Sequence, residues 1–138
     1  MGKALTAIAC AVTVGMLLAP APAGAHHPVA ADFDVSNPIK LTGSVSKIEW
    51  VNPHSWIHID VKGGDGKVVT WAIETVGPNA LFRRGWKRDT LKIGDVIVVN
   101  GFKAKNGEPI ANGHSVYLPG GQEMYVGATA SAPRATNQ

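Results

Sequence analysis

The chain has 138 residues, 13 basic and 10 acidic, for a net charge of +3, and 45% of it is apolar. So mild a charge does not imply a nucleic-acid binder. Its single cysteine, Cys10, lies in an apolar N-terminal run, so the remainder has no disulfide, no cysteine nucleophile and no sulfur-ligated metal centre.

The first 25 residues read as an export signal. Lys3 supplies a positive start, Ala4 to Ala19 is uncharged and apolar, and Ala23-Gly24-Ala25 fits the small-x-small cleavage rule. The run is too short to remain as a membrane span. Cleavage after Ala25 leaves 113 residues with a net charge of +2 and all five histidines, in a periplasmic or secreted location without stable membrane insertion.

Residues 26–38 carry Pro28, Asp32, Asp34 and Pro38 without sustained periodicity, which predicts an extended arm anchored by Phe33 and Val35. The domain proper is expected over 39–126. Ile39, Leu41, Gly43 and Val45 share one parity, but Ile48 and Trp50 share the other. A bulge near Ser46 and Lys47 reconciles them and bends the strand. Val51-Asn52-Pro53-His54 is a turn. From Ser55 onward Ser55, Ile57, Ile59 and Val61 alternate with His54, Trp56, His58 and Asp60, which puts two imidazoles, an indole and a carboxylate on one face.

Gly63-Gly64-Asp65-Gly66 turns the chain into a strand from Val68 to Ile73, with Val69, Trp71 and Ile73 on one side. Gly77-Pro78 opens a two-turn helix that stops at Gly85, with Leu81 and Phe82 set to plug the end of a barrel. Val96 to Ala104 and Ile110 to Leu118 form a hairpin across Asn106-Gly107, and a short strand covers Met124 to Val126. Residues 127–138 are small, polar and read as a disordered tail. Three strands, one short helix and two or three strands predict a mainly β chain, a five- to six-stranded OB-like barrel with one helix between strands three and four. An SH3-like barrel or a sandwich fits the same pattern less fully.

Ala25-His26-His27, Leu41-Thr42-Gly43, Asn52-Pro53-His54-Ser55-Trp56, Pro78-Asn79 with Leu81, Arg83-Arg84-Gly85-Trp86, Leu91 with Gly94-Asp95, and Val116 with Leu118-Pro119 together resemble family six-one-five-two of the domains of unknown function, small exported bacterial proteins. The resemblance implies export and a small β-domain. It implies no activity.

The most specific chemistry follows from the cut site. A free amine on His26 and its Nδ1 can chelate one metal ion, and a third imidazole completes a T-shaped nitrogen set of the histidine-brace kind, suited to copper. His27, His54, His58 and His114 are the candidates. Copper binds most strongly of the divalent series, so it best displaces the proton of an amine whose pKa is roughly 7.7 to 8.0. Each histidine also has a plainer role: His54 can hold its loop by bonding a carbonyl, and His114 shares parity with Val116 and Leu118, as a core residue would.

Asn52 and Trp56 line the expected binding surface. Arg83, Arg84, Lys87 and Arg88 around Trp86 form a basic cluster that suits an acidic partner, an anionic lipid surface or a phosphate, although Asp89 and the helix dipole offset part of its charge. Glu74 is placed to pair with one of the arginines. No phosphate loop or nucleophile elbow is present, and Asp60 with Glu74 is the only well-placed carboxylate pair. The sequence thus predicts a non-catalytic exported module that binds copper. Its alternative is an accessory protein docking on a periplasmic enzyme or assembly through a Trp/Arg surface.

Overall fold

In the computed structural model, residues 28–128 are described. Residues 1–25, where an export signal is expected, His26, His27 and residues 129–138 lie outside them. The described elements are α1 (Val29–Asp32), β1 (Phe33–Glu49), β2 (Trp56–Lys62), β3 (Val68–Glu74), α2 (Pro78–Arg83), β4 (Val96–Ala104), β5 (Ile110–Tyr117) and β6 (Glu123–Tyr125).

The architecture grows from β1. It pairs with β4 along its first part and with β2 along its second, both antiparallel. Between the two, the register shifts from Val45↔Ile59 to Lys47↔His58. Ser46 is the extra residue. The shift lets Val45 and Ile48 both turn inward, as the change of parity requires, and bends the strand so that it serves both sides of a closed structure.

β2 and β3 continue as an antiparallel hairpin, and β3 then meets β5 in a short parallel ladder, Ala72↔Ile110 to Glu74↔Asn112. That contact closes the order β1-β2-β3-β5-β4 back onto β1, an OB-like ring, with β6 added along β5. Val45, Ile57, Ile59, Ile73, Val99 and Val116 fill it, each at most 2% exposed. Burial of such side chains is the main favourable term for a chain without disulfides.

α2 starts at Pro78, where a missing N–H costs nothing, and the chain turns away at Gly85 with φ of 89°. Leu81 enters the core at 1% exposure, but Phe82 does not share the plug: it is 37% exposed on the other side of the helix. Adjacent positions on so short a helix are about 100° apart, so only one of them can face the ring.

Two expectations about the ends are corrected. The described part of the arm is not simply extended: residues Val29–Asp32 make one helical turn, and β1 begins at Phe33. The β4–β5 turn holds that turn in place, with Lys105 N–H donating to Asp32 O and Lys105 Nζ to Ala30 O. Phe33 is an anchor, whereas Val35 is 45% exposed. The Asp34 carboxylate bonds Ser36 and Asn37 and arches the chain out of register between Phe33 and Pro38. At the other end, Gly127 is a fixed part of the domain rather than tail, its N–H donating to His114 O and its carbonyl accepting from Arg84.

Candidate functional site

The outward face of β2 is built by the alternation that buries its other face. Ser55, Ile57 and Ile59 point in, while His54, Trp56, His58 and Asp60 lie half-buried on the outside. The ladders then decide their neighbours. Trp56 sits between Glu49 of β1 and Glu74 of β3, directly opposite both. His58, two residues on, reaches back diagonally to Glu49, with Nε2 2.7 Å from Oε2. His54, two residues before, reaches the other way: its Nδ1 is 3.0 Å from Thr75 O and 3.2 Å from Glu74 Oε1. Two histidine–glutamate pairs therefore flank one indole.

These contacts fix where the ring protons are. A backbone carbonyl and a carboxylate only accept hydrogen bonds, so His54 carries a proton on Nδ1 and His58 carries one on Nε2. The nitrogen that His58 keeps for a metal in its neutral form is then Nδ1. Glu49 is shared: its Oε1 accepts from Lys47 Nζ at 2.7 Å. Lys47, and after it His58, hold the Glu49 carboxyl below its ordinary range, because each bonds and stabilises the carboxylate. Further along the face, Thr70 Oγ1 donates to Asp60 Oδ1 at 2.6 Å.

The turn before β2 rests on the entry to α2. Asn52 and Pro53 are exposed, joined by a cis peptide bond. A Cβ on Gly77 would lie 2.7 Å from Pro53 O and 3.2 Å from Asn52 Oδ1, so glycine permits this close seating. Beside the turn, the rings of Trp50 and Phe82 stack at 5.3 Å, and the Arg88 guanidinium lies 5.8 Å from the centre of each.

Several expected residues take other roles. Trp86 is withdrawn from the binding surface: it is 3% exposed, part of the core, and its Nε1 donates to Tyr125 O at 3.3 Å. Arg84 is a clamp, its Nη1 donating to Gly127 O at 2.6 Å, while Arg83 is exposed. Glu74 pairs with His54 rather than with an arginine, since its place on β3 turns it toward β2 and not toward α2. His114 is buried as expected, but within a run, Gly113 to Val116, that is buried without alternation at a register shift against β4, and its ring packs at 79° to Tyr125.

Among the described residues no three histidine, cysteine, aspartate or glutamate side chains converge as a metal cage. Glu49 was not singled out in the sequence, although placing the bulge at Ser46 puts it opposite Trp56. The stack of Trp50 on Phe82 joins positions 32 apart, and no local pattern announces it.

Comparison with known proteins adds the family. A search of curated proteins returns no match. The model of the family of unknown function DUF6152 matches residues 15–113, well over half of the chain. The match includes the His26-His27 junction, the Asn52-Pro53-His54 turn and the whole of α2, and so the chain belongs to DUF6152, a family of unknown function.

Proposed function

We propose that the protein is an exported, non-catalytic binding module that holds copper, or another late divalent metal, through the amine and imidazole of His26 with His58 as the third nitrogen ligand. The carrying observation is the bond from His58 Nε2 to Glu49. Metal-bound histidines almost always donate their second ring nitrogen to a carboxylate or carbonyl, which fixes the tautomer and raises the basicity of the ligating nitrogen. His58 has that arrangement, with Nδ1 as the ligand. His54 has its counterpart through Thr75 O and Glu74, with Nε2 as the ligand.

The position of the arm favours His58 over His54. α1 is held by Lys105 in the β4–β5 turn, and from there β5 and β3 lead directly to His58, because Ile110 pairs with Ala72 and Ala72 with His58. Three strand spacings are about 14 Å. One turn of helix and two fully extended residues can reach at most roughly 13 Å, a comparable length. His54 is four residues away, beyond the start of β2 in the preceding turn, up to roughly another 13 Å.

Calorimetric titration of copper into protein that begins at His26, beside the same protein with its N-terminal amine acetylated, tests the reading. Acetylation removes the amine as a donor and breaks the chelate. The expected result is at least about a 100-fold weaker affinity for the acetylated form. Equal, weak affinity in both forms rejects the amine chelate.

A further inference from the structure

The chain's whole net charge sits in one short segment. Between positions 83 and 95 there are five basic residues, Arg83, Arg84, Lys87, Arg88 and Lys92, against Asp89 and Asp95, and the rest of the chain balances at eight of each sign. Asp89 is expected to offset part of this charge. The fold does not pair them: among the described residues no ion pair involves any of these seven side chains. Asp95 instead caps its own turn by accepting from Lys92 N–H, and Arg84 is occupied by Gly127 O. Arg83, Lys87, Arg88 and Lys92 remain exposed cations.

Apolar side chains emerge beside them. Phe82 is 37% exposed and stacked on Trp50, Val51 follows at 49%, and Arg88 lies over both rings. A guanidinium beside aromatic rings is less strongly hydrated than an ammonium and pairs readily with an anion. The segment thus presents phosphate-binding cations around a small aromatic wedge.

We propose that this end of the molecule, Trp50 and Val51 with α2 and the linker to β4, is a peripheral docking surface for an anionic phospholipid bilayer. Two observations favour lipid over an acidic protein. The exposed apolar area, from Phe82, Val51 and Ile93 of the linker, falls well short of the about 800 Å² that each partner of a stable protein complex contributes. The charge, in contrast, is spread along a linker without ion pairs, which suits a continuous anionic plane better than fixed partner positions. Clusters of four or more Lys and Arg beside aromatic side chains behave in this way at charged interfaces.

The test is co-sedimentation of protein beginning at His26 with vesicles of about 30 mol% phosphatidylglycerol in phosphatidylcholine, against phosphatidylcholine alone, at low and high salt. Binding is expected only to the anionic vesicles and is lost on raising the salt. The double variant Lys87→Gln/Arg88→Gln is expected to bind on the order of 30-fold more weakly, and Phe82→Ser several-fold more weakly. These positions are exposed, so unchanged melting temperatures show that the variants remain folded. Equal sedimentation with both vesicle types, or wild-type affinity in either variant, overturns the proposal. Retention on immobilised polyglutamate without vesicle binding also overturns it and assigns the surface to an acidic protein.

Discussion

Glu49 is the residue on which two neighbours depend. Lys47 takes one carboxylate oxygen and His58 the other, each at 2.7 Å, and the carboxyl is held below its ordinary range, first by Lys47. A group whose folded pKa is depressed contributes stability that is present above the unfolded value and lost as pH falls through the folded one. Glu49→Gln is therefore expected to lower the melting temperature slightly at neutral pH, and the difference from wild type is expected to close as the pH falls through and below about 4 to 5. The effect is small because the group is solvent-screened. Thermal melts of both proteins across that range check it, and a difference that persists at the acid end would show that packing, not charge, is what glutamate supplies here.

Among the elements, β1 carries the most structural information. Its bulge was legible because two sets of apolar residues of opposite parity cannot share one buried face without an inserted residue. The ring closure was inferable only from the order of elements, since nothing local in Ala72 or Ile110 specifies a parallel partner. The helical turn of the arm was missed because four residues are too few for periodicity and its support comes from Lys105, 75 positions after Ala30. The outward His54–Asp60 row was legible from alternation alone, but its carboxylate partners needed the ladders. Close approach of β1 to β2 yields a test at this scale. A Cβ on Gly43 would fall 2.7 Å from Asp60 O, a backbone atom within the ladder that cannot rotate aside. Gly43→Ala is expected to cost about 1–3 kcal/mol by forcing the strands apart next to the bulge. Chemical denaturation measures this, and an unchanged midpoint would mean that β1 can shift without disturbing the pairing Ser44↔Asp60.

At the scale of the whole molecule, the metal proposal links elements that are far apart in sequence: an arm fastened to the β4–β5 turn, a ring that brings β5, β3 and β2 side by side, and a histidine oriented by β1. This linkage makes a prediction that neither the arm nor the face makes alone. Metal that binds the folded chain about 100-fold more tightly than the unfolded one, through the added third ligand, stabilises it by about 2.7 kcal/mol at saturation. For a domain of this size that corresponds to a rise of roughly 10 °C or more in melting temperature. In protein beginning at His26, copper is expected to give that rise in the wild type and in His54→Gln, and to give little in His58→Gln. A local chelate on the arm would give little rise in any of the three proteins, because the unfolded chain keeps the His26 amine and imidazole and binds copper nearly as well. The opposite pattern, loss in His54→Gln with His58→Gln unaffected, would move the third ligand to the loop end of β2, where Glu74 and Thr75 O hold the ring. The size of the melting shift thus reports whether the folded ring, and not the terminus alone, supplies part of the site.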